Sequence, residues 1–197
     1  MKKHEPNPDR RRFLASSLAC AAAAAAGNSS LSFAQLDRLA PTPECRPGHA
    51  TASQTEGPFY SPQTPLKKSF RADAPGQPLV LGGRVLTTQC KPLAGAWLDF
   101  WHADANGEYD NAGFRLRGHQ VTDAEGRYRL ETIVPAVYPG RARHIHVKLR
   151  AREGGRILTT QTYFPGDASN ARDGLYRAEL EARRAGTDLQ FDFVLAG

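Results

Sequence analysis

Two tyrosines, Tyr109 and Tyr138, and a His-x-His pair, His144 and His146, fall within one stretch of 38 residues. Phenols and imidazoles in combination point to a metal. A free phenol keeps its proton up to about pH 10, so a site built on tyrosinate needs a strongly Lewis-acidic cation to hold the ionised form. Zinc sites favour Cys, His and carboxylate donors, and iron(III) is the cation this donor set suits. Taken singly, each tyrosine reads more readily as a packed aromatic, and the His pair reads equally well as surface imidazoles. The joint pattern carries the reading.

Those residues need elements that bring them together. From Arg143 to Arg150 the chain alternates, with His144, His146 and Lys148 on one side and Ile145, Val147 and Leu149 on the other, as a half-buried strand does. Both imidazoles therefore leave one face. Tyr109 follows an Asn106-Gly107 turn, and Tyr138 lies in a Pro/Gly-rich loop just before the histidine strand. Short apolar or alternating runs at 79–86, 94–102, 127–134, 143–151, 157–164 and 188–195 are separated by turn residues, the spacing of an antiparallel β-sandwich. The expected core faces are Ala96, Leu98 and Phe100; Ile145, Val147 and Leu149; and Leu189, Phe191, Phe193 and Leu195. Trp97, Asp99 and Trp101 occupy the opposite face of their run. Only 171–184 reads as helix.

Five stretches then carry a resemblance: Thr55-Glu56-Gly57-Pro58-Phe59-Tyr60; Trp101 to Tyr109; Thr122 to Tyr128; Tyr138-Pro139-Gly140-Arg141 running into His144-Ile145-His146; and Gln161-Thr162-Tyr163-Phe164. In this order the chain resembles the intradiol ring-cleavage dioxygenases, which include catechol 1,2-dioxygenase and protocatechuate 3,4-dioxygenase. The resemblance implies an all-β sandwich and one iron(III) per chain, held by Tyr109, Tyr138, His144 and His146. It implies cleavage of catechol or a substituted catechol by O2, between the two hydroxyl-bearing carbons, to a cis,cis-muconate. Tyr138 matches the departing ligand and proton carrier, Arg141 a cation beside the substrate, Gln161 a residue lining the site and Trp101 a position near the substrate. Gly140 stands where protocatechuate enzymes tend to carry a bulky aromatic, so a wider pocket mouth is expected. The length leaves no room for the helical N-terminal dimerisation region of catechol 1,2-dioxygenases. His102 and His119 match no role, and Asp99 and Glu108 are candidates for orienting the ligands from behind.

Residues 1–34 read as an export leader. Arg10-Arg11-Arg12-Phe13-Leu14 resembles the twin-arginine pattern, an apolar run follows from Phe13 to Ala26, and Ser32-Phe33-Ala34 offers a cleavage site. That run is shorter than the roughly 20 residues needed to span a bilayer. A lipoprotein cut at Cys20 is an alternative that Ser17 weakens. Twin-arginine export carries folded proteins, which suits a chain that takes up its metal first, and the expected location is periplasmic or secreted. Removing the leader takes five Lys/Arg and two Asp/Glu and lowers the formal net charge from +6 to +3. No dense basic run remains for nucleic acid. Residues 35–78, rich in Pro, Thr, Ser and Gly, read as an extended arm, and 79–197 as the sandwich. In an oxidising compartment Cys45 and Cys90 read as a disulfide, worth roughly 4 kcal/mol as an upper guide, against the alternative of two buried free thiols.

Two other functions compete. A non-catalytic β-sandwich that binds a phenol, a carbohydrate or a protein fits the fold alone. A copper oxidase would use the imidazoles, but leaves the double phenol unexplained.

Overall fold

The alternating runs pair into two sheets in the computed structural model, which describes Met1 and residues 30–196. Among the described residues the chain forms a one-turn helix α1 (Phe33–Leu36) and nine strands. These are β1 (Pro78–Thr87), β2 (Trp97–Trp101), β3 (Arg117–Val121), β4 (Arg127–Ile133), β5 (His144–Arg150), β6 (Leu158–Tyr163), β7 (Arg183–Ala185), β8 (Asp188–Gln190) and β9 (Phe193–Leu195). One sheet is antiparallel in the order β3-β2-β5-β6, and the other runs β4-β1-β8-β7 with β9 also on β1. The architecture is an all-β sandwich. Ala96, Leu98 and Phe100 of one sheet and Ile145, Val147 and Leu149 beside them are fully buried against Leu81, Tyr128, Leu130, Phe191 and Phe193 of the other.

Three expectations are corrected. The segment 171–184 is not one helix: it holds two 3₁₀ turns, Asn170–Arg172 and Ala178–Leu180, and then enters β7. Strand β3 was hidden in a polar run, Arg-Gly-His-Gln-Val. The C-terminal run is two strands rather than one, because the chain steps from β8 to β9 along the edge of β1. At the step the backbones touch, and a Cβ on Gly83 would sit 1.9 Å from the Phe191 carbonyl. Asp192 fills the step, its carboxylate accepting the backbone N–H of Arg84 and of Thr42.

The arm wraps both sheets. Its backbone pairs with β9 through Thr51, with β6 through Gln54, with β3 at Leu66 and with β4 at Ser69. Tyr60 and Thr64 both donate to buried Asp99, at 3.0 and 2.6 Å, so the outer face of β2 is covered rather than solvated. Cys45 and Cys90 are joined, with Cα atoms 5.8 Å apart. The twin-arginine stretch and Cys20 lie outside the described residues. The end of the expected leader is described: Leu31 and Leu36 are buried against Val80, and Leu31 donates its N–H to Asp188 and accepts Arg129 on its carbonyl. No helix among the described residues is long and apolar enough to cross a membrane.

Candidate metal centre

A single row across the four-stranded sheet sets the floor of the site. Arg117 of β3 pairs with Trp101 of β2, Trp101 with His146 of β5, and His146 with Gln161 of β6. One row further out, His144 pairs with Tyr163. Alternation makes neighbours of residues that are far apart in sequence.

Two loops at the same end of the sandwich bring the tyrosines. The loop after β2 turns at Asp104, whose carboxylate accepts the N–H groups of Asn106 and Glu108. Gly107 adopts φ +88°, and a Cβ there would meet the Val137 carbonyl at 2.9 Å. Ala136 donates to the Asp104 carbonyl. The two loops are thus bound to each other, and Tyr109 meets Tyr138 edge to face at 5.8 Å.

The four donors converge. The phenolic oxygens of Tyr109 and Tyr138 each lie 3.4 Å from His144 Nε2, and His144 Nε2 lies 3.0 Å from His146 Nε2. His144 Nδ1 is 2.7 Å from the Ala142 carbonyl. A carbonyl can only accept, so the ring proton sits on Nδ1 and Nε2 presents a bare lone pair. Burial holds the His144 imidazole down at about 4, with the Arg141 charge adding to it. Burial also holds His146 well below its usual value, reinforced by His144. Both rings are neutral donors at neutral pH. The Tyr109 phenol is pushed far up by burial and then by Tyr138, so it ionises only beside a strong cation. Two neutral imidazoles and two phenols fit iron(III), whose charge two phenolates would offset.

Aromatic walls fix the rings. Trp101 lies flat on His146, with centroids 4.7 Å apart and planes 8° apart. Phe59, delivered by the arm, stacks on Tyr109 at 4.4 Å. Gly57 lies over His146, and a Cβ there would come within 3.7 Å of the ring. Arg141 donates Nη1 to the Tyr138 oxygen at 3.3 Å and Nη2 to Gln161 Oε1 at 2.6 Å, and Gln161 Nε2 donates to the Thr55 carbonyl. Tyr109, Tyr138, Arg141, His144, His146, Gln161 and Trp101 are therefore one cluster. Gly140 stands at its rim with φ +79° and open space where a Cβ would be.

The other histidines and carboxylates noted in the sequence stay apart. His102 is buried and held at about 4 by burial; Nδ1 donates to the Ala103 carbonyl and Nε2 accepts from Thr132, which pins β2 to β4. His119 donates to the Thr64 carbonyl. Asp99 holds the arm and bonds to no metal-site residue, and Glu108 is exposed. Four residues were not singled out in the sequence. Phe59 and Tyr163 stand inside the quoted motifs. Arg117, buried beneath Tyr109 with its Cζ 5.9 Å from the ring, and Asp173, bonded to Arg141, carry no local pattern.

Comparison with known proteins bears on this arrangement. A family model described as Dioxygenase matches residues 55–197. The beta chain of protocatechuate 3,4-dioxygenase of Burkholderia cepacia is 37% identical over 126 residues, covering 55% of this chain and 54% of its own. Catechol 1,2-dioxygenase 2 of Acinetobacter lwoffii is 35% identical over 171 residues, covering 68% of this chain and 62% of its own. The chain thus spans somewhat more than half the length of these curated relatives. Among solved structures, the dioxygenase domain of a dioxygenase and carbohydrate-binding protein fusion from Streptomyces sp. SirexAA-E superposes with a TM-score of 0.70 at 48% identity, over 75% of this chain and 99% of that one.

Proposed function

We propose, from the premise that this chain belongs to the intradiol ring-cleavage dioxygenase family, that it cleaves catechol or a substituted catechol with O2, between the hydroxyl-bearing carbons, to a cis,cis-muconate. The observation that carries the reading is the convergence of Tyr109, Tyr138, His144 and His146 on one point, with distances of 3.0 to 3.4 Å. These four would hold iron(III), one per chain. The ion would supply Lewis acidity toward a catecholate.

The chain's own residues set the rest. The Ala142 carbonyl keeps the His144 proton on Nδ1. Tyr138, whose oxygen already accepts from Arg141, would be the phenol suited to carry the substrate's proton. Arg141 stays charged at all working pH values and presents fixed N–H donors to charge that develops on the ring. Gln161 holds one of those donors in place. Trp101 and Phe59 hold the His146 and Tyr109 rings by stacking, and Gly57 leaves room over His146.

The relatives are named for catechol, hydroxyquinol, chlorocatechol and protocatechuate, and the substrate proposed here is the catechol unit they share. Oxygen uptake with catechol, with the product followed in the ultraviolet and identified by mass, tests the reading. One O2 consumed per catechol and a cis,cis-muconate product support it; no uptake after iron reconstitution overturns it. Export through a twin-arginine leader to the periplasm is proposed from Arg10-Arg11-Arg12 and the apolar run after it. Unprocessed protein confined to the cytosol would contradict it.

A further inference from the structure

Arg141 is held by a carboxylate far along the chain. Asp173 closes the 3₁₀ turn after β6, and its side chain is 1% exposed. One oxygen, Oδ2, accepts from Arg141 Nε at 3.0 Å and from the Ala142 N–H at 2.9 Å; the other, Oδ1, accepts from the Leu175 N–H at 2.8 Å. A buried carboxylate with these bonds is fixed by two backbone segments as well as by the guanidinium. The same turn reaches the site a second way. The Leu175 carbonyl accepts from Tyr163 Oη at 3.0 Å, and Tyr163 Oη also lies 3.1 Å from Gln161 Oε1, the acceptor of Arg141 Nη2.

A free arginine has several rotatable bonds and little reason to present one edge. Here the Nε edge is bound to Asp173 and the Nη edge faces Tyr138 and Gln161. We propose that Asp173 is the positioning residue of the reaction: it fixes the direction of the Arg141 fork and offsets its charge, so that Arg141 acts on Tyr138 and the substrate as an aimed donor rather than as a mobile cation. The inference rests on the reading of the site as an intradiol dioxygenase centre. It concerns a residue that touches neither metal nor substrate.

Replacing Asp173 with Asn keeps the shape but removes the charge and sets an amide N–H against donors. The expected result is a fall in kcat of about 10- to 100-fold, the range seen when orienting partners behind a site are lost, with KM changed less than about threefold. The visible absorption of the iron-loaded protein should also shift, because the Arg141 bond to the Tyr138 oxygen is disturbed. A merely structural role is separated by repeating the change in an Arg141→Met background. There D173N should alter neither kcat nor the absorption band further, since there is no fork left to aim. An equal fall in both backgrounds, or wild-type kcat and spectrum in D173N itself, overturns the inference. If D173N unfolds early, Asp173→Ser takes its place in the same pair of backgrounds. Wild-type protein that is colourless and inert would overturn the functional reading itself, whereas an active wild type with an indifferent Asp173 would overturn only this step.

Discussion

The His146 imidazole lies against the Trp101 indole with the two planes 8° apart, and the two residues are direct partners in the β2–β5 ladder. The ring of a candidate ligand is thus set by a neighbour across the sheet, because His146 Nδ1 has no hydrogen-bond partner among the described residues. Trp101→Phe keeps an apolar wall but gives up half the stacking surface. Competition with a chelator should show iron affinity reduced about tenfold, at the low end of what loss of an orienting neighbour costs. Affinity equal to wild type would mean that the strand alone sets the ring.

Gly107 is the joint between the two tyrosine loops. Gly107→Ala faces both a positive φ and the Val137 carbonyl at 2.9 Å, which together cost about 1 kcal/mol or more. The joint lies in loops outside the strands. Circular dichroism should therefore remain that of wild type while iron binding weakens and the visible band moves; an unchanged band would show that Tyr109 and Tyr138 are placed independently.

How much of this was legible in the chain differs from residue to residue. The alternation of 144–149 made both the strand and the shared face of the imidazoles visible: the strand is buried on both faces rather than half-buried, but apolar residues fill one face and the histidines the other, which leaves a period-two trace. Strand β3 left none, because Arg117 and Gln120 are buried polar residues and Gly118 packs where a Cβ would meet Lys67 and Phe70 at 2.9 Å. The stretch 171–184 has helical composition, but Ala182 donates to the Tyr163 carbonyl and Asp173 binds the N–H of Leu175. A long-range bond and a local side-chain turn took backbone groups that a helix would have used. Asp173 acts through Arg141, 32 residues away, so no spacing rule could find it, and Arg117 reaches Tyr109 and Asp110 only because the loop between them folds back.

Stability should fall in acid through the Asp123 turn. Burial alone would raise this carboxyl, but the Arg127 backbone N–H and guanidinium outweigh it and leave its pKa below the usual carboxylate value. A carboxyl depressed by folding contributes stability above its unfolded pKa, about 3.9, and loses it as pH falls through the folded value. Asp123→Asn should therefore unfold at lower temperature than wild type at pH 7, and the gap should close as pH falls below about 4. A gap that is constant with pH would assign the loss to the turn's hydrogen bonds alone.

Leu31 and the backbone around it are bonded into the sandwich through Asp188 and Arg129. Two versions of the chain, one starting at Ser30 and one at Gln35, should differ in stability by about 2 kcal/mol, the low end for losing a buried leucine. For a domain of this size that is a shift of about 4–8 °C in the unfolding midpoint. Equal midpoints would show that 30–34 adds nothing, and leave Ser32-Phe33-Ala34 without cost as a cleavage site.

In the function proposed above, Tyr109, Tyr138, His144 and His146 hold one iron(III) with both tyrosines ionised. The most direct test is the visible spectrum of the iron-loaded protein beside those of Tyr109→Phe and Tyr138→Phe. A red-brown charge-transfer band is expected in the wild type, shifting when catechol is added. The band should be moved and weakened in each single variant, with its own energy in each. A wild-type protein that takes up iron without colour, or a band untouched by either substitution, would contradict that reading.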